Sequence, residues 1–148
     1  MGAINYVLAI LAIGAALFIA EASREQRMQD EASHHRQAAA MIVYARAAAR
    51  YAQANPGQAG PVSNGQLVLP QWLIAPAGIS CYVAAGRGYA YAALPSEAES
   101  FAVVDAMGSE ATAGVIKGGV AISSGGNRLA LRWPVPADIP ERTAVVFF

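Results

Sequence analysis

The chain has 148 residues, with ten Lys and Arg against ten Asp and Glu, so its formal net charge is zero. That length suits one modest domain plus an attachment. The balanced charge leaves no footprint for nucleic acid and no polybasic tract for an anionic lipid surface. One cysteine, Cys81, can form neither an internal disulfide nor, alone, a zinc site, and is expected to be a small buried residue.

The first twenty residues, MGAINYVLAILAIGAALFIA, hold one clearly polar side chain, Asn5. As a helix they would span about 30 Å, the thickness of a bilayer's hydrocarbon core. Ile4, Val7, Leu8, Ile10, Leu11, Ile13, Leu17, Phe18 and Ile19 favour insertion by about 3–5 kcal/mol together. Residues 1–22 therefore read as a transmembrane anchor. The competing reading is a secretory signal, since Ala20-Glu21-Ala22 fits a small-x-small cleavage site. Against it, no Lys or Arg precedes the apolar run, and the run exceeds the usual length of about 7–15 residues. A core helix of a soluble protein fits less well, because the apolar residues go all the way round. Arg24, Arg27 and Arg36 come after the run. Taken alone, the positive-inside rule would place the C-terminal part in the cytoplasm.

No Gly or Pro occurs between Ala15 and Asn55, and Ala dominates after Ala38. Alanine is the best helix former, so one helix is expected to leave the membrane and run to about Ala54, stopped by Asn55-Pro56-Gly57. Its extra-membrane part, 23–55, is expected to be amphipathic. Ala38, Met41, Ile42, Ala45, Ala49 and Ala52 form one inward face, and Tyr44, Ala48 and Tyr51 form an adjoining strip. Arg46 and Arg50 lie between them as a polar edge. Glu31, His34 and His35 come close together on a helix. A two-metal bundle needs two Glu-x-x-His motifs and two further glutamates, so this cluster reads as a solvated surface and not as a metal site.

From 56 to 148 the texture changes to a small β-rich α+β domain. Ser63-Asn64-Gly65 signals a turn. Gln66–Leu73 is a short extended or helical piece broken by Pro70. Strands are expected at Ile79–Ala85 and Tyr89–Leu94 about a turn at Gly86–Gly88. Ser96 and Glu99 have capping-box spacing, and the helix they open would turn Phe101, Val104 and Met107 inward and end at Gly108. Next come a hairpin about Gly118-Gly119, a Gly-rich turn, a strand at Arg128–Trp133 with Arg128 and Arg132 facing outward, and a last buried strand at Thr143–Phe148. The fold class is α+β: a long helix packed on an antiparallel sheet of four or five strands. Trp72 and Trp133 are expected in the core.

A search for chemistry finds no assembled site. Ser123 sits in an imitation of a nucleophile elbow, but Gly125-Gly126-Asn127 stands where a helix is needed, and no histidine lies beyond His35. Gly86-x-Gly88 lacks the dinucleotide fingerprint, and there is no Walker loop, CxxC or HExxH. The sequence thus reads as non-enzymatic, with no catalytic, cofactor-binding or metal residues and no cofactor.

The order of features carries a resemblance. An apolar N-terminus runs into a long helix, then Tyr51, Asn55, Leu67, Leu69 and Pro70 pass into a small β-rich domain. This layout resembles pilin-like proteins of type IVb and conjugative thin-pilus systems, and most of all the PilM family of small inner-membrane proteins. The resemblance implies a component of the pilus basal apparatus. It would be single-pass in the inner membrane, with a periplasmic C-terminal domain and other pilus-assembly proteins as partners. Here the family's topology is preferred to the arginine count. A homo-oligomer is left open. Pilins carry a basic leader ending in Gly and a Glu five residues into the mature chain; Gly2 here comes after Met1 alone, and Val7 stands at that position. A fixed membrane component is therefore expected, with a minor pilin or pseudopilin, or a secreted binding module released after Ala22, as alternatives.

Overall fold

The computed structural model describes the backbone of residues 2–74, 76–108, 111–123 and 132–148, and their side chains from Glu21 on, Arg132 excepted. Helix α1 spans Gly2–Ala54. Ile4, Val7, Leu8, Ile10, Leu11, Ile13, Leu17, Phe18 and Ile19, the expected anchor, have side chains outside the described residues. Among the described residues no helix is long and apolar enough to cross a membrane.

Two compact units divide the chain, Met1–Ser33 and His34–Phe148. In the first, every residue from Glu21 to Ser33 is exposed, as expected of a stretch of alternating charge with no apolar face. The second unit is a helix-covered antiparallel sheet. Its strands are β1 (Gly60–Val62), β2 (Ile79–Ala84), β3 (Arg87–Ala92), β4 (Thr112–Lys117), β5 (Val120–Ile122), β6 (Arg132–Pro134) and β7 (Ala144–Phe147). They are ordered β1-β2-β3-β7-β4-β5-β6, with every neighbouring pair antiparallel. Seven described strands replace the four or five expected. The strand with no expected counterpart is β1, three residues about a proline and too short to show an alternating pattern. Both edge strands carry a proline, Pro61 in β1 and Pro134 in β6, which removes a ladder donor and blunts the edge against strand addition.

Alternation along the strands gives the sheet two unlike faces. One presents Cys81 and Val83, Ala90 and Ala92, Ala113 and Val115, and Ala144 and Val146 to a core completed by both helices. From α1 come Ala38, Met41, Tyr44, Ala45, Ala48 and Ala52, all buried. The two expected strips fuse into one face, joined by Ala40 and Ala47, while Ala49 is half-buried and Arg46 and Arg50 stay exposed. The opposite face carries Tyr82, Tyr89, Ile116, Val145 and Phe147, with Tyr91 and Trp133 packed against them. Trp133 meets Phe147 edge-on at 5.9 Å. Ile139 covers this cluster, and the Tyr82 hydroxyl donates to Asp138 at 2.5 Å.

Small residues set the helix-to-sheet distance. A Cβ on Gly88 would lie 2.0 Å from the Ala49 nitrogen, so α1 rests almost backbone to backbone on β3. The register that places Gly88 there comes from the preceding turn. Val83 pairs with Gly88 and Ala84 with Arg87, which leaves Ala85-Gly86 as a two-residue loop. Both have positive φ, 49° and 75°, the backbone of a type I′ hairpin. The turn thus sits earlier than the expected Gly86–Gly88, and β3 starts at Arg87 instead of Tyr89.

Helix α2 (Glu97–Met107) begins as the sequence predicts: the Ser96 side chain accepts from the Glu99 N–H at 3.1 Å. Val104 and Met107 are buried, together with Val103 and Ser100, while Phe101 is only half-buried. Lys117 closes over this end of the helix, 2.5 Å from Glu97 and 5.6 Å from the Phe101 ring centroid. The β4–β5 hairpin turns at Gly118-Gly119 as expected, and both of their N–H groups donate to the Glu141 carboxylate.

Candidate functional site: an exposed apolar loop

The end of α1 is built to hold the connection that leads into β1. Both the backbone N–H and the side-chain amide of Asn55 donate to the Tyr51 carbonyl, at 3.0 and 2.9 Å. That satisfies a carbonyl the helix would leave unpaired, and Pro56 prevents another turn. The Tyr51 hydroxyl then donates to Gln58 at 2.9 Å and accepts from Gln66 at 3.4 Å. Gln66 in turn accepts from the Ser63 N–H at 3.0 Å. Tyr51 and Asn55, two residues that carried the family resemblance, therefore clasp the connection to the helix end.

Beyond the clasp, the large apolar residues divide between two environments. Leu67 is buried, and Leu69 and Leu73 pack against the core. Beside them Val68, Trp72 and Ile74 are 87%, 72% and 91% exposed. The Leu73 N–H donates to the Pro70 carbonyl at 3.0 Å, closing a turn with Gln71 and Trp72 at its two central positions. This corrects the expectation that Trp72 lies in the core. The three leucines already fill the space beneath the loop, so the turn directs the indole outward. Trp133 is half-buried on the aromatic face of the sheet.

The electrostatics of this region are simple. From Tyr51 to Gly86, 36 residues, the sequence has no Asp, Glu, Lys, Arg or His. A large exposed indole within a charge-free stretch is the signal that sequence reading missed. Exposed Trp with neighbouring aliphatics is the composition of interface anchors.

The remaining candidate residues do not converge. Glu31 and His35 are exposed and His34 is half-buried, and among the described residues no group of three or more His, Cys, Asp or Glu could hold a metal ion. Ser123 directly follows β5 and is half-buried. Arg128, most of the expected Gly-rich turn and the first part of the expected strand at Arg128–Trp133 lie outside the described residues, as does the side chain of Arg132. Cys81 lines a groove of about 430 Å³ beside β1, with Ile79, Asn64 and Tyr91. Burial pushes its thiol up to about 12, far from the thiolate that nucleophilic chemistry uses. Burial also raises Tyr44, with the charge of Cys81 adding to it. Tyr82 is raised first by its hydrogen bond to Asp138.

A family model described as PilM matches residues 7–147. Among solved structures, a PilM protein from Escherichia coli B7A superposes with a TM-score of 0.52 at 22% identity, covering 79% of this chain and 92% of that one. That likeness shows a shared fold. A pilM protein from Pseudomonas aeruginosa 2192 aligns at 32% identity with a TM-score of 0.45, covering 76% and 92%. No curated protein matches.

Proposed function

The chain belongs to the PilM family of pilus-related proteins, and from that premise we propose that it is a non-enzymatic inner-membrane component of a type IV pilus assembly or secretion apparatus. The family match over residues 7–147 carries this reading. The protein works through contacts with other pilus-assembly proteins. Residues 1–22 anchor it as a single span, because their apolar run has the length of a bilayer core. The C-terminal domain stands in the periplasm and presents the loop around Trp72. The exposed apolar loop at Val68, Trp72 and Ile74 is what supports action through contacts.

The test is fractionation of the full chain with topology labelling. The intact chain is expected in the membrane, released by detergent and not by alkaline carbonate. With Cys81→Ala in place, a cysteine introduced by Ala93→Cys, at an exposed position after β3, should react with a membrane-impermeant maleimide in spheroplasts before permeabilisation. A soluble intact chain, labelling only after permeabilisation, or a mature chain starting at Ser23 would each overturn the reading.

A further inference from the structure

The chain has four asparagines, Asn5, Asn55, Asn64 and Asn127, and only Asn64 is followed by a glycine. We propose that Asn64 is a site of spontaneous covalent modification. The Gly65 backbone nitrogen attacks its side-chain amide, ammonia is lost, and the clasp between α1 and the connection to β1 comes apart.

The geometry leaves both reacting groups open. Asn64 and Gly65 are exposed and lie in a single helical turn, Asn64–Gln66. Two bonds close that turn. The Gln66 N–H donates to the Ser63 carbonyl at 3.0 Å, and the Leu67 N–H donates to the Asn64 carbonyl at 3.2 Å. Neither bond uses the Gly65 N–H. Among the described residues, neither that group nor the Asn64 amide has a hydrogen-bond partner. One isolated turn is unstable by itself, because nucleation costs more than its first bonds return. The other asparagines differ. Pro56, after Asn55, has no N–H to lose, and the Asn55 amide is held by the Tyr51 carbonyl. Asn5 and Asn127 are followed by Tyr6 and Arg128, and a side chain on the attacking residue hinders ring closure.

The atoms balance with water alone. The Gly65 nitrogen gives its proton to hydroxide and bonds to the Asn64 Cγ. The Cγ–Nδ2 bond breaks, and Nδ2 takes a proton from water and leaves as ammonia. The product is a five-membered cyclic imide. Water then adds to either of its carbonyls and breaks one ring C–N bond. One opening gives aspartate. The other gives isoaspartate, in which the main chain runs through Cβ and Cγ and is one atom longer.

The consequence follows from what the turn holds. Gln66 accepts from the Ser63 N–H and hydroxyl at 3.0 and 3.1 Å, and reaches the Tyr51 hydroxyl at 3.4 Å. A longer main chain between residues 64 and 65 keeps the two turn bonds from forming together, and Gln66 is drawn away from Tyr51. Either product also places a carboxylate in a stretch that has no charge, beside the groove that Asn64 lines.

The experiment incubates the full chain, folded in detergent, in mildly alkaline buffer and maps its peptides by mass spectrometry. Asn64 should convert at least tenfold faster than Asn5, Asn55 or Asn127, with isoaspartate detected by an isoaspartyl methyltransferase. Gly65→Ala is the control. A Cβ there meets nothing within 4 Å, and the backbone is outside the left-handed region, so the variant should fold and slow conversion at least tenfold. The converted chain should be cut by protease within residues 55–78 at least tenfold faster than Gly65→Ala chain held for the same time. Conversion in urea but not in the folded chain would show that the turn stays shut, and would overturn the proposal. So would a rate that Gly65→Ala leaves unchanged, equal rates at the four asparagines, or a converted chain as resistant to protease as the unconverted one.

Discussion

Where α1 meets the sheet, the facing residues are Ala45, Ala48, Ala49 and Gly88, and the contact is nearly backbone to backbone. In the loop at 66–74 the outward residues are Val68, Trp72 and Ile74, each more than two-thirds exposed. The usual placement by size is inverted. Burying small side chains gains little transfer energy each, but it lets two elements approach closely and exclude water over a long helix face. The large side chains left outside add nothing to that packing. The contrast separates residues that make the fold from residues available for contact, and each claim can be broken separately.

The largest effect is expected at Gly88. Any Cβ there overlaps the backbone of Ala49, and a backbone cannot rotate away as a side chain does. Gly88→Val should destabilise by more than about 4 kcal/mol or prevent folding, as read from denaturant midpoints. A stable Gly88→Val protein would mean that α1 does not sit this close to β3.

A second test probes the same buried face through pH. The Cys81 thiol is raised from 9 to about 12 by burial. Its folded pKa lies above its unfolded one, so its contribution is fully present below pH 9 and is lost as pH rises toward 12. The total is on the order of 4 kcal/mol. Tyr44 and Tyr82, both raised, add to the same alkaline decline. Cys81→Ala should flatten the decline that begins near pH 9, measured as denaturant midpoint against pH. An unchanged profile would show that the thiol reaches water, and that the alanine face does not seal the sheet.

Helix α2 gives a smaller and more local comparison. It covers the same face as α1, and Ser96 holds its first turn by one bond to the Glu99 N–H. Ser96→Ala should cost about 1 kcal/mol in thermal unfolding. An effect near that of Gly88→Val would mean that the cap supports more than one helix turn.

Legibility in the sequence divides along the same line. The α1 face could be read from sequence because its small residues still keep helical spacing, from Ala38 through Met41 and Ala45 to Ala52. The Ser96–Glu99 signal is local, and it places α2 correctly. The start of β3 is not legible, because Ala85 adopts the positive φ that is expected of glycine. Strand β1 is three residues with a proline at its centre, so it carries no period to detect. Trp72 is misplaced by sequence because residue type suggests burial, and burial here depends on the Pro70–Leu73 turn. The alternation of Leu67 and Leu69 with Val68 is in the sequence, but Pro70 interrupts it. The apolar run to Ala20 is plain from composition, and it falls on side chains outside the described residues.

The smallest expected effect per residue tests the other half of the contrast. Val68, Trp72 and Ile74 are mostly exposed, so replacing all three by Ser should change stability by less than about 1.5 kcal/mol, about 0.5 for each. Met41→Ala, on the buried face, should cost about 3 kcal/mol in the same denaturation assay. A residue that can be made polar without cost to the fold, yet is a tryptophan in a charge-free stretch, is explained by what it touches outside its own chain. If the triple serine variant instead unfolds like Met41→Ala, the three side chains are packed in solution, and the loop is a piece of core rather than a contact surface.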